Sequence, residues 1–115
     1  MKKIIATILT ILNLDADTLG SLLFHGNCVT CHFETKAVSA PSMMQVRQKY
    51  LDVFSDKKEF VKYMSNWVAN PKEETSIYLD AVKKYKLMPQ LGYEREVIED
   101  IASYIYDTDF TKKIK

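Results

Sequence analysis

The chain lacks an excess of charge of either sign. Its 115 residues carry 16 lysines and arginines against 15 aspartates and glutamates, so that the formal net charge is +1. Without a basic surplus there is no bulk electrostatic attraction to nucleic acid, and we expect no nucleic-acid partner. Internal repeats and low-complexity segments are also missing, and a chain of this length has room for one hydrophobic core.

Alternation of apolar and polar residues, which is typical of a β-strand, is almost absent. Apolar residues recur instead at helical intervals. Ser42 and Asp56 precede two apolar segments as capping residues, and Asp56 stands three residues before Glu59 in capping-box spacing. We therefore predict an all-α fold. Its five helices are expected over residues 17–32, from Ser42, from Asp56 to Asn70, over residues 73–85 and over residues 93–106, with a loop over residues 87–92.

No hydrophobic run is long enough to span a bilayer. The longest, residues 4–12, is well below the roughly 20 residues that a spanning helix needs. It follows Lys2 and Lys3 and ends before Asn13 and Asp15, a pattern typical of a secretory signal peptide. We expect a signal peptide over residues 1–16 and an exported, periplasmic domain over residues 17–115. An uncleaved membrane tether is the alternative.

Cysteine is scarce, and both cysteines stand in one short motif, CVTCH. Cys28 and Cys31 are three residues apart, and His32 follows directly. A disulfide between them would close a very short loop and stabilise little, and redox-active pairs of this spacing accompany strand–helix patterns, which are not seen here. A structural zinc ion needs four ligands, for which His25 would have to join the motif; the adjacency of Cys31 and His32 makes that tetrahedral site awkward.

Covalent haem attachment is the third interpretation of this motif, and we favour it over the disulfide and the zinc site. Two thiols at positions i and i+3 can add to the two vinyl groups along one edge of a porphyrin. The following residue, His32, is then carried beneath the ring, where its imidazole can bind iron. Cys-x-x-Cys-His is the attachment pattern of c-type haem. It requires an exported chain, which the N-terminus predicts.

With this motif near the N-terminus, the chain resembles the class I c-type cytochromes over residues 20–105. The resemblance implies a cytochrome c fold, in which about five helices surround one covalently bound haem c. It also implies that the two terminal helices cross closely. Gly20 and Phe24, eight and four residues before Cys28, would meet Ile101 and Tyr104 on the last helix.

The resemblance extends to three further site residues. Pro41 matches the proline whose carbonyl accepts a hydrogen bond from the ligand histidine, although Ala40 precedes it where the family often has glycine. Met88, in the loop sequence Met-Pro, matches the methionine whose thioether is the second axial ligand. Trp67 matches a tryptophan whose indole N–H meets a haem propionate, although core packing without that bond is a close alternative.

These implications define an expected function. The protein would be an exported electron carrier and not an enzyme, with His32 and Met88 as iron ligands. Its expected partners are redox proteins, such as a membrane cytochrome complex, a terminal oxidase or a reductase, and we expect a monomer. Lysines before Met88 could surround an exposed haem edge and bind such partners by charge. The alternative function is a haem-based sensor of small ligands with a weak or open sixth site.

Overall fold

The computed structural model describes residues 16–113, and all regular secondary structure in this part of the chain is helical. Its five α-helices confirm the predicted all-α class, and no β-strand occurs within these residues. Two short 3₁₀ turns, Glu73–Thr75 and Phe110–Lys113, complete the regular structure. Nearly all of the proposed signal peptide lies outside the described residues. The helices are α1 (Ala16–Asn27), α2 (Met43–Val53), α3 (Lys57–Ala69), α4 (Leu79–Tyr85) and α5 (Arg95–Asp107).

Helices α2 and α3 begin where their capping residues predict. The hydroxyl of Ser42 accepts a hydrogen bond from the Gln45 backbone N–H at 3.2 Å, and the Gln45 side chain accepts one from the Ser42 N–H at 3.1 Å. The carboxylate of Asp56 accepts from the Glu59 N–H at 3.2 Å. These bonds satisfy backbone donors that have no partner within the helix, so local sequence is enough to set both starts.

Two predicted helices are longer than those in the structure. Helix α1 ends at Asn27 and not at His32, because residues 28–32 form a tight turn in which the Cys28 carbonyl accepts from the His32 N–H at 2.9 Å. The helix predicted over residues 73–85 is interrupted before Leu79. Here the Ser76 hydroxyl accepts from the Tyr78 N–H at 3.1 Å and so competes with helical pairing of the backbone.

Helix α5 crosses α1 at a very short distance, as the resemblance implies. A Cβ atom added at Gly20 would lie 2.6 Å from the Asp100 carbonyl oxygen and 2.9 Å from Tyr104 Cβ, so only glycine permits this approach. The Phe24 side chain is fully buried, with its ring centroid 5.3 Å from that of Tyr104. The predicted contact between the first and last helices is confirmed.

The C-terminal end of α5 is hydrogen-bonded to α2 and to the loop between α2 and α3. The Arg47 guanidinium donates to the carbonyls of Ile105 and Tyr106, both at 2.9 Å, and the Tyr106 hydroxyl donates to the Ser55 carbonyl at 2.7 Å. These bonds occupy carbonyls that a helix end leaves without partners. The buried core around them consists of Phe24, Met43, Tyr50, Phe60, Met64, Ile101, Ala102, Ile105 and Phe110.

Candidate haem-binding cleft

The motif residues lie in a turn directly after α1. The Cys28 N–H donates to the Phe24 carbonyl at 2.9 Å, so Cys28 continues the helical hydrogen bonding by one residue. The Cys28 carbonyl then accepts from both the Cys31 and the His32 N–H groups, at 3.3 and 2.9 Å. These backbone hydrogen bonds place Cys28, Cys31 and His32 in a single turn.

The ring of His32 is oriented by the loop before α2. Its Nδ1 lies 2.9 Å from the Pro41 carbonyl oxygen, so the hydrogen bond that the resemblance implies is present. Because a carbonyl only accepts, Nδ1 carries the proton and Nε2 keeps a lone pair for a metal ion. Burial lowers the pKa of His32, although the hydrogen bond to Pro41 opposes this shift. The neutral imidazole, which is the metal-binding form, is therefore favoured.

The thiol environment differs from that of a redox-active cysteine pair. Burial, with a smaller contribution from Cys31, raises the pKa of the Cys28 thiol to about 11. Cys28 also follows the C-terminal end of α1, where the helix dipole disfavours a negative charge. Reactive cysteines have a lowered pKa, often at the N-terminal end of a helix. The burial of Cys28 and its position after α1 therefore disfavour the thiolate form that thiol–disulfide exchange requires.

The zinc alternative finds no donor set in the described chain. Residues 16–113 contain no group of three or more His, Cys, Asp or Glu side chains arranged to hold a metal ion. His25, which would be the fourth zinc ligand, contacts other residues. Its Nδ1 is 2.8 Å from the Ser21 carbonyl oxygen, and its Nε2 is 3.7 Å from Glu34 Oε1. His25 does not line the cleft described next, so it is also a poor rival for the sixth ligand position.

One large cleft brings all six predicted site residues together. It contains about 1340 Å³ of atom-free space, part of which is open to solvent. The predicted residues reach it from four separate segments: Cys28, Cys31, His32, Pro41, Trp67 and Met88. Apolar side chains from the helices form a large part of the remaining wall: Met43, Val46, Met64, Val68, Ala81, Val82, Ile98, Ile101, Ala102 and Ile105. Ile77 joins them from the segment before α4.

The described residues include four methionines, of which three line this cleft, and among these three only Met88 lies in a loop. Met43 and Met64 lie on α2 and α3, are each 4% exposed and belong to the buried core. Met88 is half-buried in the stretch between α4 and α5. Met44 packs against the core and does not line the cleft. The expected division between core methionines and one loop methionine is therefore what the structure shows.

Trp67 lines the cleft, but its polar atom already has a partner. The indole N–H donates to the Lys72 carbonyl at 3.0 Å. Since tryptophan has one donor and no acceptor, that bond occupies its hydrogen-bonding capacity. The structure therefore does not support the propionate bond that the resemblance implies for Trp67, and it shows the indole as part of the apolar wall.

Four of the seven tyrosines also line the cleft, and the sequence did not single them out: Tyr50, Tyr78, Tyr85 and Tyr93. Tyr50 is 5% exposed, and burial, together with the neighbouring Tyr63, raises the pKa of its phenol. In sequence it is one more apolar-face residue of α2, so helical periodicity alone predicts packing and gives no signal of a cleft.

Of the three lysines before Met88, Lys86 lines the cleft. Lys83 and Lys84 are exposed in the last turn of α4, and Lys86 directly follows that helix.

In residues 16–113, no helix is long and apolar enough to cross a membrane.

Comparison of the chain with protein-family models, with curated proteins and with solved structures gave no match. The likeness to c-type cytochromes therefore depends on the sequence motifs and on the geometry of the cleft.

Proposed function

We propose that this protein is an exported monohaem c-type cytochrome that carries single electrons between redox proteins, and that its helices form a cytochrome c fold. The observation that carries the proposal is the meeting of Cys28, Cys31, His32, Pro41 and Met88 at one apolar cleft. These residues come from distant parts of the sequence, and the sequence motifs and the resemblance predict each of them as a site residue. The crossing of α1 and α5 at Gly20 supports the same fold.

The residues of the cleft suit a haem group. Cys28 and Cys31 supply two thiols from one turn, where they could form thioethers with two vinyl groups. His32 presents Nε2 as a metal ligand, because Nδ1 is bound to the Pro41 carbonyl. The apolar wall suits the flat hydrophobic body of a porphyrin. Met88 could supply the second axial ligand.

When bound, the haem iron would supply reversible one-electron chemistry. The protein's own contribution is to hold the ligands and to exclude water. The Pro41 carbonyl fixes the His32 ring, and the buried surroundings disfavour its protonation. A thioether ligand and a buried site raise a haem reduction potential. If His32 and Met88 stay in place while an electron is transferred, little has to rearrange.

Partners would meet the molecule at the rim near Met88. Lys83, Lys84 and Lys86 are exposed and precede Met88 closely in the sequence, so they could supply positive charge there. Charge complementarity gives fast, weak association that suits an electron shuttle. A membrane cytochrome complex, a terminal oxidase or a reductase would fit this role, with the protein itself acting as a monomer. Export by a signal peptide over residues 1–16 would bring the chain to the periplasm, where c-type haem is attached.

A second function, sensing of small ligands, is favoured by one feature. The segment that carries Met88 has no backbone–backbone hydrogen bonds in the described chain. If Met88 left the iron readily, the sixth position would be open to exogenous ligands.

Haem attachment is the first test of the proposal. We expect the full chain, produced in a host with cytochrome c assembly machinery, to show haem absorption and to keep the mass of one haem after denaturation and acid–organic extraction. The matched control is the double variant Cys28→Ala with Cys31→Ala, which should lose all covalent haem. Complete extraction of haem from the unmutated protein, or covalent haem in the double variant, would refute the attachment.

A further inference from the structure

Lys86 has a backbone conformation that is almost restricted to glycine. Its φ is 75° and its ψ is 168°, and among the described residues it is the one non-glycine residue with positive φ. For a residue with a Cβ atom this region is strained, and such strain persists only where the surrounding structure enforces it. Lys86 ends α4 and stands two residues before Met88.

The segment that follows Lys86 is held weakly. We call residues 86–92 the Met88 strap. Within the described chain, no backbone–backbone hydrogen bond involves these residues. Their one hydrogen bond runs from the Gln90 side chain to the Ala69 carbonyl at 3.0 Å. Leu87 and Leu91 line the cleft but are each 43% exposed, so they bury only part of their apolar surface.

The two ends of the strap are suited to rotation. Gly92, at its far end, also has a positive φ of 74°, which glycine adopts freely. Lys86, at its near end, adopts a similar φ only at a cost. If the strap swings outward, Lys86 can relax to an ordinary conformation while Gly92 turns without penalty. Opening the strap would thus relieve the strain that Lys86 has in the closed strap of the structure.

We propose that Lys86 is a strained hinge that raises the population of an open strap, so that small nitrogen bases such as imidazole can enter the cleft of the oxidised protein where Met88 otherwise lies. This inference rests on the proposed function, since the entering base would replace the Met88 thioether at the iron. Lys86 is a positioning residue in this scheme, because it acts through the backbone of the strap and touches no ligand. The protein would then combine a firmly held His32 with an exchangeable Met88.

Lys86→Gly tests the hinge, with Lys86→Ala as the matched control. Glycine removes the strain from the closed state, whereas alanine removes the charge and keeps the strained Cβ. We expect imidazole to bind the oxidised holoprotein of Lys86→Gly at least about fivefold more weakly than the unmutated protein, measured from the Soret band. The greater freedom of glycine in the open strap opposes this effect only in part. Lys86→Ala should bind imidazole within about twofold of the unmutated protein.

Equal imidazole affinity in Lys86→Gly and the unmutated protein would overturn the hinge, as would an equal weakening in Lys86→Ala, which would assign the effect to charge. The absorption spectrum before titration separates this failure from that of the proposed function. Covalent haem with two axial ligands upholds the proposed function even if the hinge fails, whereas a protein without haem refutes both the function and the ligand exchange.

Hydrogen–deuterium exchange tests the hinge without reference to haem. In the purified full chain, amides of residues 86–92 should exchange several-fold more slowly in Lys86→Gly than in Lys86→Ala. Exchange in α3 should be the same in both variants. Equal exchange of the strap in the two variants would show that Lys86 does not govern its opening.

Discussion

His32 and Met88 line the same cleft but are held with very different firmness. The His32 backbone N–H is bonded within the motif turn, and its ring is bonded to the Pro41 carbonyl. Met88 lies in a strap that has one side-chain hydrogen bond and no backbone–backbone hydrogen bonds in the described chain. His32 would therefore be the firmly held ligand of the proposed haem, and Met88 would be the ligand that can dissociate.

Met88→Ala is the corresponding prediction. Removal of the thioether should abolish the weak sulfur-to-iron band of the oxidised protein, lower the reduction potential and open the reduced protein to carbon monoxide. Visible spectroscopy, potentiometry and carbon monoxide titration measure the three effects. Met43→Leu and Met64→Leu are the matched controls, because these two methionines also line the cleft but do so from helices. Each of these variants should leave the sulfur band, the reduction potential and the carbon monoxide binding nearly unchanged.

Met44→Leu provides a further control, since Met44 packs outside the cleft. Rapid binding of carbon monoxide by the unmutated reduced protein would contradict the carrier function. It would favour the sensor.

Among the helices, the crossing of α1 and α5 is the most demanding contact. Its two backbones approach so closely at Gly20 that a Cβ atom would meet a carbonyl oxygen of the other helix. A backbone atom cannot move aside as a flexible side chain can. The motif turn follows α1 directly, so this crossing also sets where Cys28 enters the cleft.

Gly20→Ala should therefore destabilise the fold. We expect a loss of about 1–3 kcal/mol from overpacking, measured from the midpoint of urea unfolding. Gly26→Ala is the matched control on the same helix, because a Cβ atom there would have no neighbour within 4 Å. That variant should be neutral or slightly more stable, since alanine has the higher helix propensity. An unchanged midpoint in Gly20→Ala would refute the close crossing.

For the whole molecule, the cleft and the hydrophobic core are not separate. Six of the buried core residues also line the cleft: Met43, Tyr50, Met64, Ile101, Ala102 and Ile105. An apolar group bound in the cleft would complete the contacts of these side chains. Binding to the native state alone stabilises that state, so the proposed haem would be a structural component as well as a redox centre.

Haem removal should consequently weaken the whole fold. The Cys28→Ala and Cys31→Ala double variant, freed of haem by extraction, should melt at least about 10 °C below the holoprotein and lose part of its helical circular dichroism. The second haem-free preparation retains both cysteines: it is the unmutated chain produced without the assembly machinery. It should show the same lower melting temperature and the same loss of helical circular dichroism. If all three preparations melted at the same temperature, the cleft would not need a bound group for stability.

Several features of the fold and the cleft could be predicted because their causes are local. The starts of α2 and α3 follow from Ser42 and Asp56, whose side chains bond to backbone groups three residues away. Predictions based on periodicity alone were less accurate. Apolar spacing could not show that Ser76 would interrupt a helix, or that α1 would end before Cys28, because turn hydrogen bonds compete with helical ones at these places.

The helical class, the capping residues and the set of chemical groups (two thiols, an adjacent imidazole and a loop thioether) could be predicted from residue types and their spacing along the chain. Three other features became visible only in the folded molecule: which groups share a cleft, the hydrogen bond from Trp67 to the Lys72 carbonyl, and the positive φ of Lys86. Such features depend on contacts between segments far apart in sequence, where the packing of one helix fixes the surroundings of another.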